Sequence, residues 1–200
     1  MTARLLETIK IQDGVLQNII YHNQRFNRSR RHFWPNTTPI DLYEHITIPV
    51  NYKLGTVKCR VLYRENIEEI QFVHYHKKAI NRIKIANTDI DYSFKWEDRS
   101  AINELLAANP HYDDVLMVKN GFITDTSYAN IILKKDNEFY TPKIPMLKGT
   151  KRQHLIDEDI LIEKNIKPSD LKKYSAFALI NSLNDLDLTK FIPIKNIILK

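Results

Sequence analysis

Apolar and polar residues change their spacing several times along the chain, and each change marks an element. Residues 5–11 and 15–21 are two β-favouring runs on either side of Asp13-Gly14, a strong turn signal, which predicts a hairpin. Residues 21–31 lose the alternation, carry polar helix formers and stop before Trp34-Pro35, so they read as a helix. Thr37-Thr38-Pro39 sets a hydroxyl cap and a proline at the head of a second, short helix over residues 40–45. KCRVLYR, IEEIQFVHY and AINRIKIA, between residues 57 and 86, alternate in part and predict an antiparallel meander with one buried face.

Residues 87–94 are polar and aperiodic, which places a boundary between an N-terminal α/β lobe over residues 1–90 and a C-terminal lobe over 91–200. A helix over 98–108 carries Ala101, Ile102, Leu105 and Leu106 on one stripe and is closed by Pro110. Residues 114–118 form an aliphatic strand ending at the Lys119-Asn120-Gly121 turn, and 129–133 pairs with 138–141 through Lys135-Asp136-Asn137. Further strands fall at 159–163, 176–180 and 191–199, between short helices. The class is α+β, with mainly antiparallel strands in two lobes.

Composition narrows the classes. A hydrophobic fraction of 43% with 27% charged residues excludes a disordered tail, and no apolar run approaches the roughly 20 residues of a membrane span. The N-terminal sequence lacks the apolar region of a secretion signal and the lone Cys59 cannot close an intramolecular disulfide, so a cytoplasmic protein is expected. A net charge of +6 is a weak pull towards an anionic ligand and does not call for nucleic acid.

Most motifs that announce chemistry are missing: there is no GxGxxG, P-loop, HExxH or paired CxxC, and four glycines are too few for a glycine-lined nucleotide cradle. His74 and His76 share one side of a strand but no third ligand clusters with them, so they read as ordinary strand histidines and no metal is expected. Four stretches remain. YHNQRFNRSRR puts Arg25 on a helix after a hairpin, SFKWEDRSAINELL puts Lys95 just ahead of a helix, ITDTSYANIIL holds Asp125 in a turn before a strand, and MLKGTKRQHLI sets Gly149 and Thr150 before a helix. With the opening LLETIKI and the closing FALINSLNDLDLTKFIPI, these resemble, in order, the class IV aminotransferases, the pyridoxal-phosphate enzymes of fold type IV.

The resemblance implies a two-lobed fold, with a small N-terminal α/β lobe and a C-terminal β-pseudobarrel carrying helices. It implies that Lys95 is the catalytic lysine, binding the cofactor as a Schiff base and moving the substrate's α-proton. Asp125 stands where the family keeps a carboxylate, usually glutamate, on the cofactor's ring nitrogen. Arg25 stands where the family directs a guanidinium at the phosphate. Gly149, Thr150 and Lys151 match the phosphate-binding helix start, with Lys151 where a hydroxyl is usual, so that either Lys151 or Thr150 makes the contact. Asn181, Ser182 and Leu183 match the last active-site loop. Without the resemblance each has a plainer reading: a solvated linker lysine, an Asx-turn aspartate, a strand-ending loop. Arg28, Arg30 and Arg31 read as a solvated face.

Asn181-Ser182-Leu183 is the wording of the family's 4-amino-4-deoxychorismate lyases, which eliminate pyruvate to leave 4-aminobenzoate. The same constellation serves an aminotransferase acting on branched-chain or D-amino acids. Family members are usually longer, and this chain starts at the LLETIKI strand, so a member that has lost activity is a third reading. The resemblance also implies a homodimer and a small amino substrate. A basic module binding single-stranded nucleic acid through Arg25 to Arg31 with Phe33 and Trp34 would leave Lys95 and Asp125 without a role.

Overall fold

The computed structural model describes residues 4–199. The chain forms two compact units, one made of the residues up to Lys77 together with Phe94–Asp98, the other of Lys78–Ser93 and the residues from Arg99 onward. The division thus falls earlier than the 90/91 boundary read from the sequence, and Lys95 belongs to the first unit. Among the described residues, no helix is long and apolar enough to cross a membrane.

In the first unit β1 (Leu5–Gln12) turns through Asp13-Gly14, both at positive φ (48° and 80°), into β2 (Val15–Leu16). The second strand is shorter than expected because Asn18 adopts a left-handed conformation, φ 52°, and turns the chain into α1 (Ile19–Phe33). That helix buries His22, Arg25, Phe26, Ser29 and Arg30, the three- and four-residue spacing of one helical face. The short helix α2 (Leu42–His45) is capped by Asp41, whose carboxylate accepts from Tyr43 N, and not by Thr38. β3 (Thr56–Tyr63) and β4 (Ile67–His74) complete a four-stranded antiparallel sheet ordered β2-β1-β3-β4. Register pairs Leu5 with Tyr63, Glu7 with Val61, Ile9 with Cys59 and Ile11 with Val57. Alternation turns all eight to one face, where they meet Phe26 and Leu42, with Trp34, Phe94 and Trp96 packed at the margin.

The second unit contains β5 (Ile83–Asn87), α3 (Ser100–Ala107), β6 (Asp114–Lys119), β7 (Phe122–Thr126), β8 (Asn130–Lys135), β9 (Glu138–Pro142), α4 (Thr150–Asp157), β10 (Ile162–Lys164), β11 (Ala176–Ile180), β12 (Ile192–Pro193) and β13 (Ile197–Ile198). They build a nine-stranded sheet ordered β10-β9-β8-β7-β6-β5-β13, with β11 paired to β8 and β12 to β11. β5, expected as the third strand of the first meander, instead runs parallel to β6 and to β13. Its buried Ile83 packs with Leu116 and Ile197, far from the first unit's core residues in sequence. β10 and β9 are also parallel. On β8, Ile131 and Leu133 enter one apolar cluster and Ile132 another, so the strand is buried on both faces and its apolar run is continuous. The final predicted strand is broken at Pro193 by a single tight turn, Ile194–Asn196.

Candidate active site

Glu7 sits on the inward face of β1, fully buried, among residues that are otherwise apolar. A carboxylate there needs partners, and α1 supplies two. Arg25 clasps it with a fork, Nε donating to Oε1 at 2.8 Å and an Nη to Oε2 at 2.6 Å, while His22 Nδ1 lies 2.6 Å from Oε2. Burial alone would raise the Glu7 carboxyl, but the Arg25 charge and fork, helped by His22, hold it at about 2. Burial lowers the His22 imidazole against the pull of Glu7, and the positive charges of Arg25 and Lys95 add to the lowering. The neutral imidazole therefore donates its Nδ1 proton to Glu7.

Lys95 lies on a short extended segment laid along β1. Leu6 N donates to Lys95 O (2.9 Å), Glu97 N donates to Arg4 O (2.9 Å), and Leu5 pairs with Trp96 across the bridge. Arg4 and Glu97 close the end with two 2.6 Å hydrogen bonds. Phe94 and Trp96 pack on the first unit's core, so alternation sends the half-buried Lys95 to the opposite face, shared with Leu6.

In the second unit Asp125 is 5% exposed and lies on β7, where the sequence reading placed it in a turn. Its Oδ1 accepts from Asn130 Nδ2 at 2.7 Å and its Oδ2 from Leu147 N at 2.8 Å. Burial nevertheless pushes its carboxyl up to about 6, against the backbone donors at Leu147 and Met146, Asn130 and the charge of Arg152. Asn130 Nδ2 also donates to Leu147 O (3.0 Å), so one amide ties β8, Asp125 and the loop that leads into α4. Gly149 caps that helix with no side chain on its first turn, and no acidic residue stands there. Only glycine fits: an added Cβ would lie 1.9 Å from Asn130 Oδ1. Thr150 is buried behind it, and Arg152 braces the helix by donating to Pro142 O (2.7 Å) and Glu163 (2.6 Å). Lys151 is ion-paired with Asp185 of the loop after β11.

In that loop Asn181 Oδ1 accepts from Leu183 N and Asn184 N, both at 2.9 Å, and Nδ2 reaches Tyr128 O at 3.3 Å. The asparagine side chain thus shapes its own turn, and Ser182 is half-buried at its crest. Within the first unit, Arg25 and His22 meet at Glu7, and Lys95 bears on His22 only through its charge; within the second, Asp125 and Gly149 meet at Asn130. Sequence reasoning overlooked Glu7, His22 and Asn130. The signal for Glu7 was a carboxylate at an inward position of an apolar strand. Arg30, expected at a solvated face, is 2% exposed and donates to Glu65 O, Thr38 O and Asn27; Arg28 and Arg31 are exposed. His74 approaches Asn51 O at 3.2 Å and lies tilted against the Tyr52 ring.

A sequence model of the amino-transferase class IV family matches residues 99–197. An uncharacterised protein from Haemophilus influenzae is 33% identical over 185 residues, covering 91% of this chain and 98% of its own length. The crystal structure of a proposed 4-amino-4-deoxychorismate lyase from Haemophilus somnus superimposes with a TM-score of 0.85 at 33% identity, over 93% of this chain and 99% of that one. A hypothetical aminotransferase from Mycobacterium tuberculosis in its PLP-bound form matches with a TM-score of 0.76 over 98% of this chain and 81% of that one; at 16% identity this likeness shows the fold alone. Two units, a buried carboxylate on β7, a bare helix start at Gly149 and these matches converge: the chain belongs to the class IV amino-transferase family and has its fold type IV architecture.

Proposed function

We propose that this protein binds pyridoxal phosphate and acts as a 4-amino-4-deoxychorismate lyase. The observation that carries the reading is Asp125, a carboxylate taken almost wholly out of water, whose largest influence is burial. Such a group is balanced by a cationic N–H partner, and its oxygens, each already accepting from a donor here, retain lone pairs for another. The start of α4 fits an anion for a separate reason, since Gly149 supplies no side-chain cap and the first turn itself carries no acidic residue. In the second unit these donor and acceptor sets suit pyridoxal phosphate, Asp125 for the ring nitrogen and Gly149, Thr150 and Lys151 for the phosphate; the family's pattern adds Arg25 for the phosphate and Lys95 for the aldehyde.

When bound, the cofactor supplies an electron-withdrawing ring that acidifies the substrate's amine-bearing carbon. Lys95 Nζ takes the proton from that carbon and returns one to the methylene of the departing enolpyruvyl group, so that pyruvate leaves and 4-aminobenzoate remains. Glu7 holds the Arg25 guanidinium in one orientation. Elimination is favoured over amino transfer by Asn181-Ser182-Leu183 and by the similarity to the proposed Haemophilus somnus lyase. By the family's pattern the working form is a homodimer, which sedimentation checks; a monomer that retains the cofactor contradicts it.

The test is the visible spectrum of purified protein with pyridoxal phosphate, for wild type and Lys95→Ala, followed by product analysis. A violet absorption band that borohydride fixes, absent from the variant, with pyruvate and 4-aminobenzoate formed from 4-amino-4-deoxychorismate, supports the proposal. A band with amino transfer between amino and 2-oxo acids alone makes the protein an aminotransferase. No band in the wild type removes the reading altogether.

A further inference from the structure

The turn between β7 and β8 is held at more points than its closure requires. Thr126 N and Oγ1 both donate to Ala129 O, at 2.9 and 3.2 Å, which is enough to close it. Beyond that, Ser127 N donates to Asp114 Oδ1 at 3.2 Å, and Ser127 O accepts from an Nη of Arg99 at 2.5 Å. Asp114 is 1% exposed and its Oδ1 is anchored to its own strand by Val115 N at 2.8 Å. Arg99 is the residue from which α3 starts. A buried carboxylate and a guanidinium therefore hold opposite ends of one residue, each through a charge-assisted bond, the stronger class of hydrogen bond.

The two residues that flank this turn are Asp125 and Asn130, paired in register and joined by their 2.7 Å hydrogen bond. Any slip of the turn moves both. An aspartate has a single methylene between backbone and carboxyl, so its carboxyl follows the backbone with little slack. Both Asp125 oxygens are committed as well, Oδ1 to Asn130 Nδ2 on β8 and Oδ2 to Leu147 N, so a displaced carboxyl disturbs both bonds.

We propose that Arg99 and Asp114 are positioning residues that fix the Asp125 carboxyl by gripping Ser127 from both sides. Neither group needs to touch substrate for this. The functional weight of the proposal rests on the reading of Asp125 as the partner of the cofactor's ring nitrogen; the structural part stands apart from it.

The decisive measurement is a carbon-13 carboxyl titration of Asp125 by NMR in the cofactor-free protein, for wild type, Arg99→Gln and Arg99→Lys. The wild-type midpoint is expected near 6. In Arg99→Gln a loosened turn admits water and the midpoint falls by about one unit, towards the ordinary aspartate range. Loss of a nearby cation would by itself push the midpoint up, so a fall reports the turn and not the missing charge. Arg99→Lys restores most of the wild-type value. Asp114→Asn is read by hydrogen exchange at the Ser127 amide, expected to quicken about tenfold as its acceptor loses charge. With pyridoxal phosphate bound, Arg99→Gln lowers kcat about tenfold while KM moves by less than about twofold, the signature of a misplaced catalytic group. An Asp125 midpoint unchanged in Arg99→Gln overturns the proposal, as do equal shifts in the Gln and Lys variants. If the wild type takes up no pyridoxal phosphate at Lys95, the functional reading fails, and the titration on cofactor-free protein still decides whether these residues fix Asp125.

Discussion

Glu7 has no water to answer its charge, so its ionisation is carried by Arg25 and His22. Its folded pKa of about 2 lies below the reference 4.5, so this group adds stability above pH 4.5 and loses it as pH falls towards 2. That shift corresponds to about 3 kcal/mol. Asp125 runs the other way: with a folded value of about 6 against 3.8, its ionisation costs stability as pH rises through that interval. Glu7→Gln is expected to cost about 3–5 kcal/mol near neutrality, because it leaves a buried guanidinium without its counter-charge, and to erase the acid limb between pH 4.5 and 2. Urea unfolding across pH measures both; a variant as acid-sensitive as the wild type would show that Glu7 is not the source. Gly149→Ala forces a methyl against Asn130 Oδ1, and that amide is already committed to Asp125 and Leu147 O, so a loss of about 1–3 kcal/mol is expected in the same assay. Arg25 could be marked from sequence because a motif surrounds it. Arg30 could not, since a run of four arginines reads as surface; only its place on the stripe of His22, Phe26 and Ser29 shows that it turns inward.

At the scale of elements, what local chemistry dictates was readable. Asp13-Gly14 and Asn120-Gly121 sit at the positive φ values their residues favour, α3 ends before Pro110, and β11 spans residues 176–180 as its apolar run predicts. What depends on a distant partner was not readable. β5 alternates like its predecessors, and nothing within AINRIKIA says that it will lie parallel to a strand some thirty residues later. β7 was missed because Thr124, Asp125 and Thr126 are polar yet buried, on both faces of the strand, so the usual apolar signal is absent. The Lys95 segment is too short for any periodicity; β1, the pair of Arg4 and Glu97, and the packing of Phe94 and Trp96 on Phe33 hold it. Trp96→Ala is therefore expected to free it locally: amide exchange at Leu6 and Glu97 should quicken well before the rest of the first unit responds. Uniform acceleration across that unit would mean instead that Trp96 supports the whole core.

At the scale of the whole molecule, the two units keep separate cores, and the residues proposed for the cofactor fall in both: Arg25 and Lys95 in the first, Asp125, Gly149 and the loop at Asn181 in the second. Cys59, fully buried against Ile9 in register, has a thiol that burial pushes up to about 12, so in the folded protein it is both hidden and unreactive. It lies in the first unit, and so do both tryptophans, Trp34 and Trp96. Thiol labelling and indole emission should therefore give one and the same denaturation midpoint, whatever far-ultraviolet dichroism records. The unequal distribution of those three side chains makes the protein half-lit: an experimenter watching its indole fluorescence follows the unit that holds Arg25 and Lys95, and needs tyrosine or backbone signals to follow the unit that holds Asp125.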